Sequence, residues 1–222
     1  MSKKNVVITG ANRGIGLAMA KQFSARGDHV IAVCRQASAE LLETGAEILD
    51  SIDVTREADL LRLQDQLKDR KIDTLINNAG LLHNESLGDI DSATMRAQYE
   101  VNAIAPLNVT DTLHGSLKKG SKVIMITSRM GSIADNGSGG RYGYRMSKAA
   151  LNAAGKSLAL DLKDEGIAVA MIHPGFVQTD MVNNAGDISA DVAAERIIKR
   201  IDELSLKTTG QFKHSNGEDL PW

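Results

Sequence analysis

Tyr144 stands four residues before Lys148 in the stretch Arg141-Tyr142-Gly143-Tyr144-Arg145-Met146-Ser147-Lys148, which continues through Ala149, Ala150 and Leu151 in a helical pattern. Positions four apart share a helix face, so this spacing sets an ammonium beside a phenol. A free phenol titrates near ~10 and has little phenolate at neutral pH. A fixed cation nearby favours the phenolate and draws the group toward use as an acid or base. Tyr142 has no such partner, because Met146 lies four residues beyond it. Alone, the pair is read more simply as a surface helix with an aromatic ring beside a snorkelling lysine. Its meaning depends on the elements that would position it.

Those elements alternate. Val6 to Thr9, Val30 to Val33, Ala46 to Asp50, Thr74 to Asn77, Lys122 to Thr127 and Ile167 to Ile172 are short apolar runs, read as six strands. Helical patterns lie between and after them: Ile15 to Arg26, Arg56 to Lys68, a long stretch from Ala93 to Leu117 with a kink expected at Pro106, the Tyr144 segment to about Lys163, and Ala190 to Glu203. Continuous β-branched strands are what helices on both faces of a parallel sheet require. The expectation is one α/β domain over residues 1–222, a single-domain Rossmann fold with a doubly wound, mostly parallel sheet and helices on both faces. At 222 residues the chain can bury one such core.

Composition excludes several function classes. A formal net charge of -2 leaves no basic surface for nucleic acid. No apolar run is long enough to span a membrane, and the first residues do not read as a secretion signal. Cys34 is the only cysteine, so no internal disulfide forms and a reducing, cytoplasmic setting is expected. The five histidines have no metal-ligand spacing, and no metal is expected.

Thr9-Gly10-Ala11-Asn12-Arg13-Gly14-Ile15-Gly16 follows the first strand and opens the first helix. Gly10 suits a tight turn, Gly14 a close backbone approach to a pyrophosphate, and Gly16 close helix–strand packing. The helix start offers unpaired N–H groups and partial positive charge. The spacing differs from the commoner Gly-x-Gly-x-x-Gly, and no Lys-Ser/Thr pair suggests a P-loop. At the end of the second strand, where an acid would hold a free ribose 2′-hydroxyl, the chain reads Cys34-Arg35-Gln36. Arg35 and Arg13 suit a 2′-phosphate instead, so NADP(H) is the expected cofactor. Asp53, after the third strand, is placed to accept from an adenine amino group, with Val54 flanking the ring.

Thr9-Gly10-x₃-Gly14-x-Gly16, Asn77-Asn78-Ala79-Gly80, Ser128, Tyr144-x₃-Lys148 and Pro174-Gly175-x-Val177-x-Thr179 occur in that order. This set resembles the short-chain dehydrogenase/reductase family in its compact form, over nearly the whole chain. Ser128 to Ile133, the short length and the ending Gly217 to Trp222 further resemble the C-factor-like proteins and sniffer-like carbonyl reductases. The resemblance implies that Tyr144 is the acid in carbonyl reduction and the base in alcohol oxidation. It implies that Ser128 bonds the carbonyl oxygen, that Lys148 lowers the phenol's pKa and bonds the nicotinamide ribose, and that Asn102 anchors a water leading to solvent. It also implies that Asn12 and Ile15 in the glycine turn, Asn78, Ala79 and Gly80 after the fourth strand, and Pro174, Gly175, Val177 and Thr179 after the sixth line the cofactor.

Two features depart from the usual pattern. The sixteen residues from Ser128 to Tyr144 are slightly long, with the excess in the Gly137 to Gly140 patch. The segment Met181 to Ser189 is short where relatives carry a larger lid, which implies a permissive site. The expected activity is an NADPH-dependent carbonyl reductase acting on a ketone, aldehyde or quinone. The alternative is a C-factor-like signalling protein that binds NADP with little catalysis. An extended-branch epimerase or dehydratase needs a sizeable substrate domain, for which no room is expected after Thr179. Small and apolar residues on more than one face of the Tyr144 helix (Ala149, Ala150, Ala153, Ala154, Leu158) lead us to expect a homodimer.

Overall fold

The computed structural model describes residues 3–222. Seven strands form one parallel sheet: β1 (Asn5–Thr9), β2 (His29–Val33), β3 (Glu47–Leu49), β4 (Ile72–Asn77), β5 (Leu117–Ile126), β6 (Ala168–His173) and β7 (Gln211–His214). Their spatial order is β3-β2-β1-β4-β5-β6-β7. The helices are α1 (Gly14–Ala25), the short α2 (Ala39–Leu42), α3 (Glu57–Leu67), α4 (Ser92–Tyr99), α5 (Ala105–Thr112), α6 (Tyr142–Asp161) and α7 (Ala190–Glu203). The strand order reverses between β1 and β4, and in an open α/β sheet the crevice beyond such a reversal is where ligands bind.

Alternation along the strands builds a core on each face. Val7, Ile31, Leu75, Val123 and Val169 point to one face, where Leu60, Leu63 and Leu67 of α3, Val109 of α5 and Leu151 of α6 meet them. Val6, Ile8, Val30, Ile76, Ile124 and Ile172 point to the other, against Met19 and Phe23 of α1 and Ile197 and Ile201 of α7. Strands buried on both faces have no polar side to show, which is why their sequences read as unbroken apolar runs.

Three features differ from the sequence reading. The sheet gains β7, whose Gln211-Phe212-Lys213-His214 holds one apolar residue and so carries no strand signal; it pairs in parallel with β6 from Ala170↔Gln211 to His173↔His214. β5 starts earlier than expected, at Leu117, through a register irregularity against β4 between Ile72 and Thr74. The long helical stretch is not one kinked helix: α4 and α5 are joined by a π-helical turn over Glu100–Ile104. Pro106 explains where that turn falls. An α-helix would need an N–H from residue 106 for the carbonyl of Asn102, which proline lacks, and its ring would crowd that carbonyl. The chain therefore widens ahead of the proline, with Ala105 N–H bonded to Glu100 five residues back.

His173 closes β6 and is 8% exposed, its ring edge-on to His214 at 4.8 Å between centroids. Its Nδ1 is buried without a hydrogen-bond partner. Burial first, then His214 and Arg129, push the imidazole from 6.5 down to about 3, with Asp135 pulling weakly the other way. Across that window the unfolded chain binds a proton the folded chain does not, so stability is full above the unfolded value and is lost as pH falls. The urea midpoint is expected to drop between about pH 7 and pH 5, and to drop less in His173→Gln. An equal drop in both proteins would assign the loss to other groups.

Candidate active site

The glycine turn is fastened to the ends of two neighbouring strands. Gly10 takes φ 65 and its N–H donates to the Val33 carbonyl at 2.9 Å. Thr9 Oγ1 accepts from the N–H groups of Asn78 (3.0 Å) and Ala79 (3.2 Å). Asn78 Nδ2 donates back to the carbonyls of Thr9 (3.0 Å) and Gly10 (3.1 Å). The switch point between β1 and β4 is thus closed by four hydrogen bonds. A Cβ at Gly16 would lie 2.2 Å from the Gly10 carbonyl oxygen and 2.6 Å from Asn78 Nδ2, and one at Gly10 would lie 2.9 Å from Ala79 Cα. Only glycine fits at either place.

Arg13, at the N-cap of α1, is extended and gives no side-chain cap, and the first turn holds no acid. The amide groups and positive end of α1 therefore face outward for an anion. Backbone free of Cβ atoms at an uncapped helix start is what a pyrophosphate needs, so the residues fit a dinucleotide. Ile15 packs on the core beneath the turn, and Asn12 is half-buried in it.

At the far end of this crevice, Arg35 is exposed just past β2, its carbonyl accepting from Ser51 N–H at 3.3 Å. Arg13 reaches instead across to Asp180 at 3.7 Å, an exposed pair that holds it weakly. Asp53 keeps one carboxylate oxygen in a local turn, accepting from Thr55 N–H (3.0 Å) and hydroxyl (2.7 Å). Val54 packs against the core. Thr55 thus serves the turn at Asp53, while the N-cap of α3 is Arg56.

Ser128, Tyr144 and Lys148 meet beyond the end of β5, exposed by 6%, 9% and 4%. Ser128 Oγ accepts from Met130 N–H at 3.1 Å and stands near enough to the Tyr144 phenol to draw its pKa down. Gly131, in the same turn, lets it press on α6: a Cβ there would lie 2.7 Å from the carbonyl carbon of Lys148. Lys148 Nζ donates to the Ile126 carbonyl at 2.9 Å and lies 5.8 Å from the centre of the Tyr144 ring. The spacing of the pair is realised, but not its simplest electrostatic consequence. Burial pushes the phenol up to about 12, while Ser128 and Arg141 draw it down. Burial also pushes Lys148 down to about 8. Both charged forms lose water in the same enclosure, and Lys148 spends a hydrogen bond on β5 rather than on the phenol.

Asn102 is fully buried within the π-helical turn. Its side chain is spent within the protein: Oδ1 accepts from Leu81 N–H (2.8 Å), and Nδ2 donates to the Leu81 carbonyl (2.7 Å) and Ser147 Oγ (3.0 Å). Ser147 Oγ donates in turn to the Tyr144 carbonyl at 2.8 Å. What Asn102 could offer a water is its backbone carbonyl, to which Pro106 brings no N–H. The sequence reading passed over Ser147, and over Thr94, Gln98 and the buried Glu85. The available signal was the spacing Thr94, Gln98, Asn102, a polar stripe on one helical face.

The segment after β6 folds back over the glycine turn. Ser215 Oγ donates to the Pro174 carbonyl at 2.7 Å, and Gly175 takes φ 102 beneath Ile188. Val177 bridges to Ile188, and Thr179 Cγ2 lies 3.3 Å from where a Gly14 Cβ would be. The positions expected to hold phosphate, ring and catalytic groups therefore line one crevice along the carboxyl edge of β1, β4, β5 and β6.

A family model described as short chain dehydrogenase matches residues 4–189. A Rhodococcus sp. (strain AD45) protein named 1-hydroxy-2-glutathionyl-2-methyl-3-butene dehydrogenase is 37% identical, covering 98% of this chain and 99% of its own. A Myxococcus xanthus protein named C-signal is 42% identical over 154 residues, 68% of this chain and 93% of its own. The NADPH-bound carbonyl reductase from chicken fatty liver superposes with a TM-score of 0.90 at 28% identity, all of both chains covered.

Gly16→Ala puts a methyl where two fixed atoms already stand, so the turn and the start of α1 must separate. Affinity for a nicotinamide dinucleotide, read by its fluorescence on titration, is expected to fall at least about tenfold, as for a lost charge-assisted bond. Unchanged affinity would show that the nucleotide does not use this turn.

Proposed function

The chain belongs to the short-chain dehydrogenase family, and from that premise we propose that it is an NADPH-dependent reductase converting a ketone, aldehyde or quinone to the alcohol. The observation that carries this reading is the meeting of Ser128, Tyr144 and Lys148 at the carboxyl end of β5, with the phenol buried. When bound, the nicotinamide supplies the hydride. Ser128, whose oxygen already accepts from Met130 N–H, keeps its own O–H to donate a hydrogen bond to the substrate carbonyl as negative charge builds there. Tyr144, pushed up to about 12 by burial, holds its proton at neutral pH and delivers it to the same oxygen. Lys148, pushed down to about 8, can release a proton near neutrality to renew the supply. That protonation pattern favours reduction over oxidation.

Arg35 at the end of β2, with no acid there, supports NADPH over NADH, as does the NADPH found in the chicken reductase. Leu87, Ile133, Phe176 and Met181, on the loops that would shape the substrate pocket, are exposed, which supports an apolar carbonyl compound. A homodimer is proposed from the exposed Leu107, Met146 and Leu160 of α5 and α6, with sedimentation velocity as its test. A cytoplasmic location is proposed on the single buried Cys34; no helix among the described residues is long and apolar enough to cross a membrane.

The similarity to C-signal supports a second reading, a nucleotide-binding signalling protein with little turnover. Tyr144→Phe separates the two. In the reductase reading, NADPH oxidation against a carbonyl panel falls by about 10²–10⁴ while NADPH affinity holds. A wild-type protein that binds NADPH and turns over nothing would establish the second reading.

The reductive rate is expected to be level through neutral pH and to fall as pH rises through about 8, where Lys148 loses its proton. A profile flat to pH ~10 would remove Lys148 from proton supply. Arg35→Ala should cut NADPH preference over NADH by roughly tenfold or more, through NADPH alone. An unchanged ratio would place the 2′-phosphate elsewhere.

A further inference from the structure

We propose that Glu85 is a positioning residue for Tyr144: its buried carboxylate caps the catalytic helix from a separate loop and so sets where the phenol stands. What that phenol does rests on the reductase reading above; the capping geometry does not. α6 starts without a cap of its own. Arg141, at its N-cap, lies in the left-handed region at φ 51 and ψ 46 and its side chain makes no capping bond, donating instead to Asn84 Oδ1 at 2.9 Å. The first amides of a helix have no partner within it. Here the loop between β4 and α4 meets two of them. Arg141 N–H donates to the Glu85 carbonyl at 2.7 Å, and Gly143 N–H donates to the Glu85 carboxylate at 3.1 Å.

Glu85 is 4% exposed, and a carboxylate so enclosed must have its oxygens and its charge answered. Its other oxygen accepts from Gln98 Nε2 at 2.6 Å and lies 3.0 Å from Thr94 Oγ1. These partners are neutral, and the positive end of a 20-residue helix complements the charge. Gly143, the residue before Tyr144, leaves no space for a side chain. A Cβ there would lie 2.5 Å from Gln98 Nε2 and 3.0 Å from both Glu85 Oε1 and Met95 Cα.

The same helical face, continued from α4 into the π-helical turn, fastens the loop at two further points. Gln98 Oε1 accepts from His83 N–H at 2.9 Å, and Asn102 holds both backbone groups of Leu81. Tyr144 is therefore bracketed. Glu85 fixes the amide just before it, and Ser147, held by Asn102, fixes its own carbonyl.

Glu85→Gln keeps the volume but cannot accept at both ends, because one end becomes an NH₂ facing another donor. The test compares this variant and Gly143→Ala with wild type in the full chain. Turnover of a carbonyl the wild type reduces, NADPH affinity by fluorescence, and amide hydrogen exchange are the readouts. We expect kcat to fall roughly tenfold or more, with KM and NADPH affinity within about twofold, and exchange to quicken only at the start of α6. Quickened exchange with unchanged kcat overturns the proposal, since Glu85 then only holds the fold. Unchanged exchange overturns it too, as does a cofactor affinity that falls in step with kcat. If Glu85→Gln does not fold, Gly143→Ala breaks the same contact from the helix side and is read by the same criteria. A wild type that reduces no carbonyl defeats the reductase reading alone. Exchange then decides: quickening confined to residues 143–147 supports the cap, and none overturns it.

Discussion

A lysine amine, 4% exposed, is held beneath a buried tyrosine by one protein carbonyl, that of Ile126. Taking a cation out of water is costly, and one neutral acceptor offsets little of the cost. The shift of Lys148 down to about 8 is that cost expressed as proton affinity. It is tolerable only because strong packing elsewhere leaves the amine no other place: α6 is buried along Leu151, Gly155 and Ala159 on one side and pressed by the Gly131 turn on the other. The result is a phenol and an amine whose proton affinities are displaced in opposite directions. A free tyrosine and lysine in water would sit nearly together.

The two halves of the crevice are made by different means. The half proposed to hold the nucleotide is mostly backbone: glycines at positive φ and an uncapped helix start, braced by the mutual side-chain bonds of Thr9 and Asn78 that tie β1 to β4. The half proposed to be catalytic is side chains brought from separate elements, and that role needs rigid spacing between them. Pro106 contributes there by subtraction. By denying an N–H to Asn102 it widens the helix into a π turn, which leaves the Asn102 side chain buried and free to bridge Leu81 and Ser147.

The sequence made the architecture legible wherever a signal was local. Apolar runs marked six strands, five of them buried on both faces and β3 half-buried at the edge of the sheet. The glycine turn was legible because its residues serve their own backbone, and the Tyr144–Lys148 pair because four-residue spacing maps directly onto a helix face. β7 was not legible, since a strand with only Phe212 buried owes its place to pairing with β6. Asp53 and Arg13 read as open to ligand, yet Thr55 engages Asp53 through a local turn two residues on, and Asp180 reaches Arg13 from a distant segment that no spacing rule announces. Glu85 was invisible for the same reason: it lies among loop residues, and its acceptors become meaningful only when Gly143 arrives from 58 positions away.

This last contact links two functions that sequence alone would assign to separate parts. In the proposed reading the loop from Leu81 to Leu87 borders the substrate side of the crevice, and loops of that kind are where a fold varies its specificity. Here the same loop donates no catalytic group yet answers the amides that start α6, through both the carbonyl and the carboxylate of Glu85. A change that moves the loop to fit another substrate must therefore either keep Glu85 in place or move the tyrosine with it. Residues beyond the clamp, such as Leu87 at 87% exposure, are free of that coupling. Pocket shape can vary at the outer part of the loop, while the inner part, Leu81 to Glu85, is bound to the position of Tyr144.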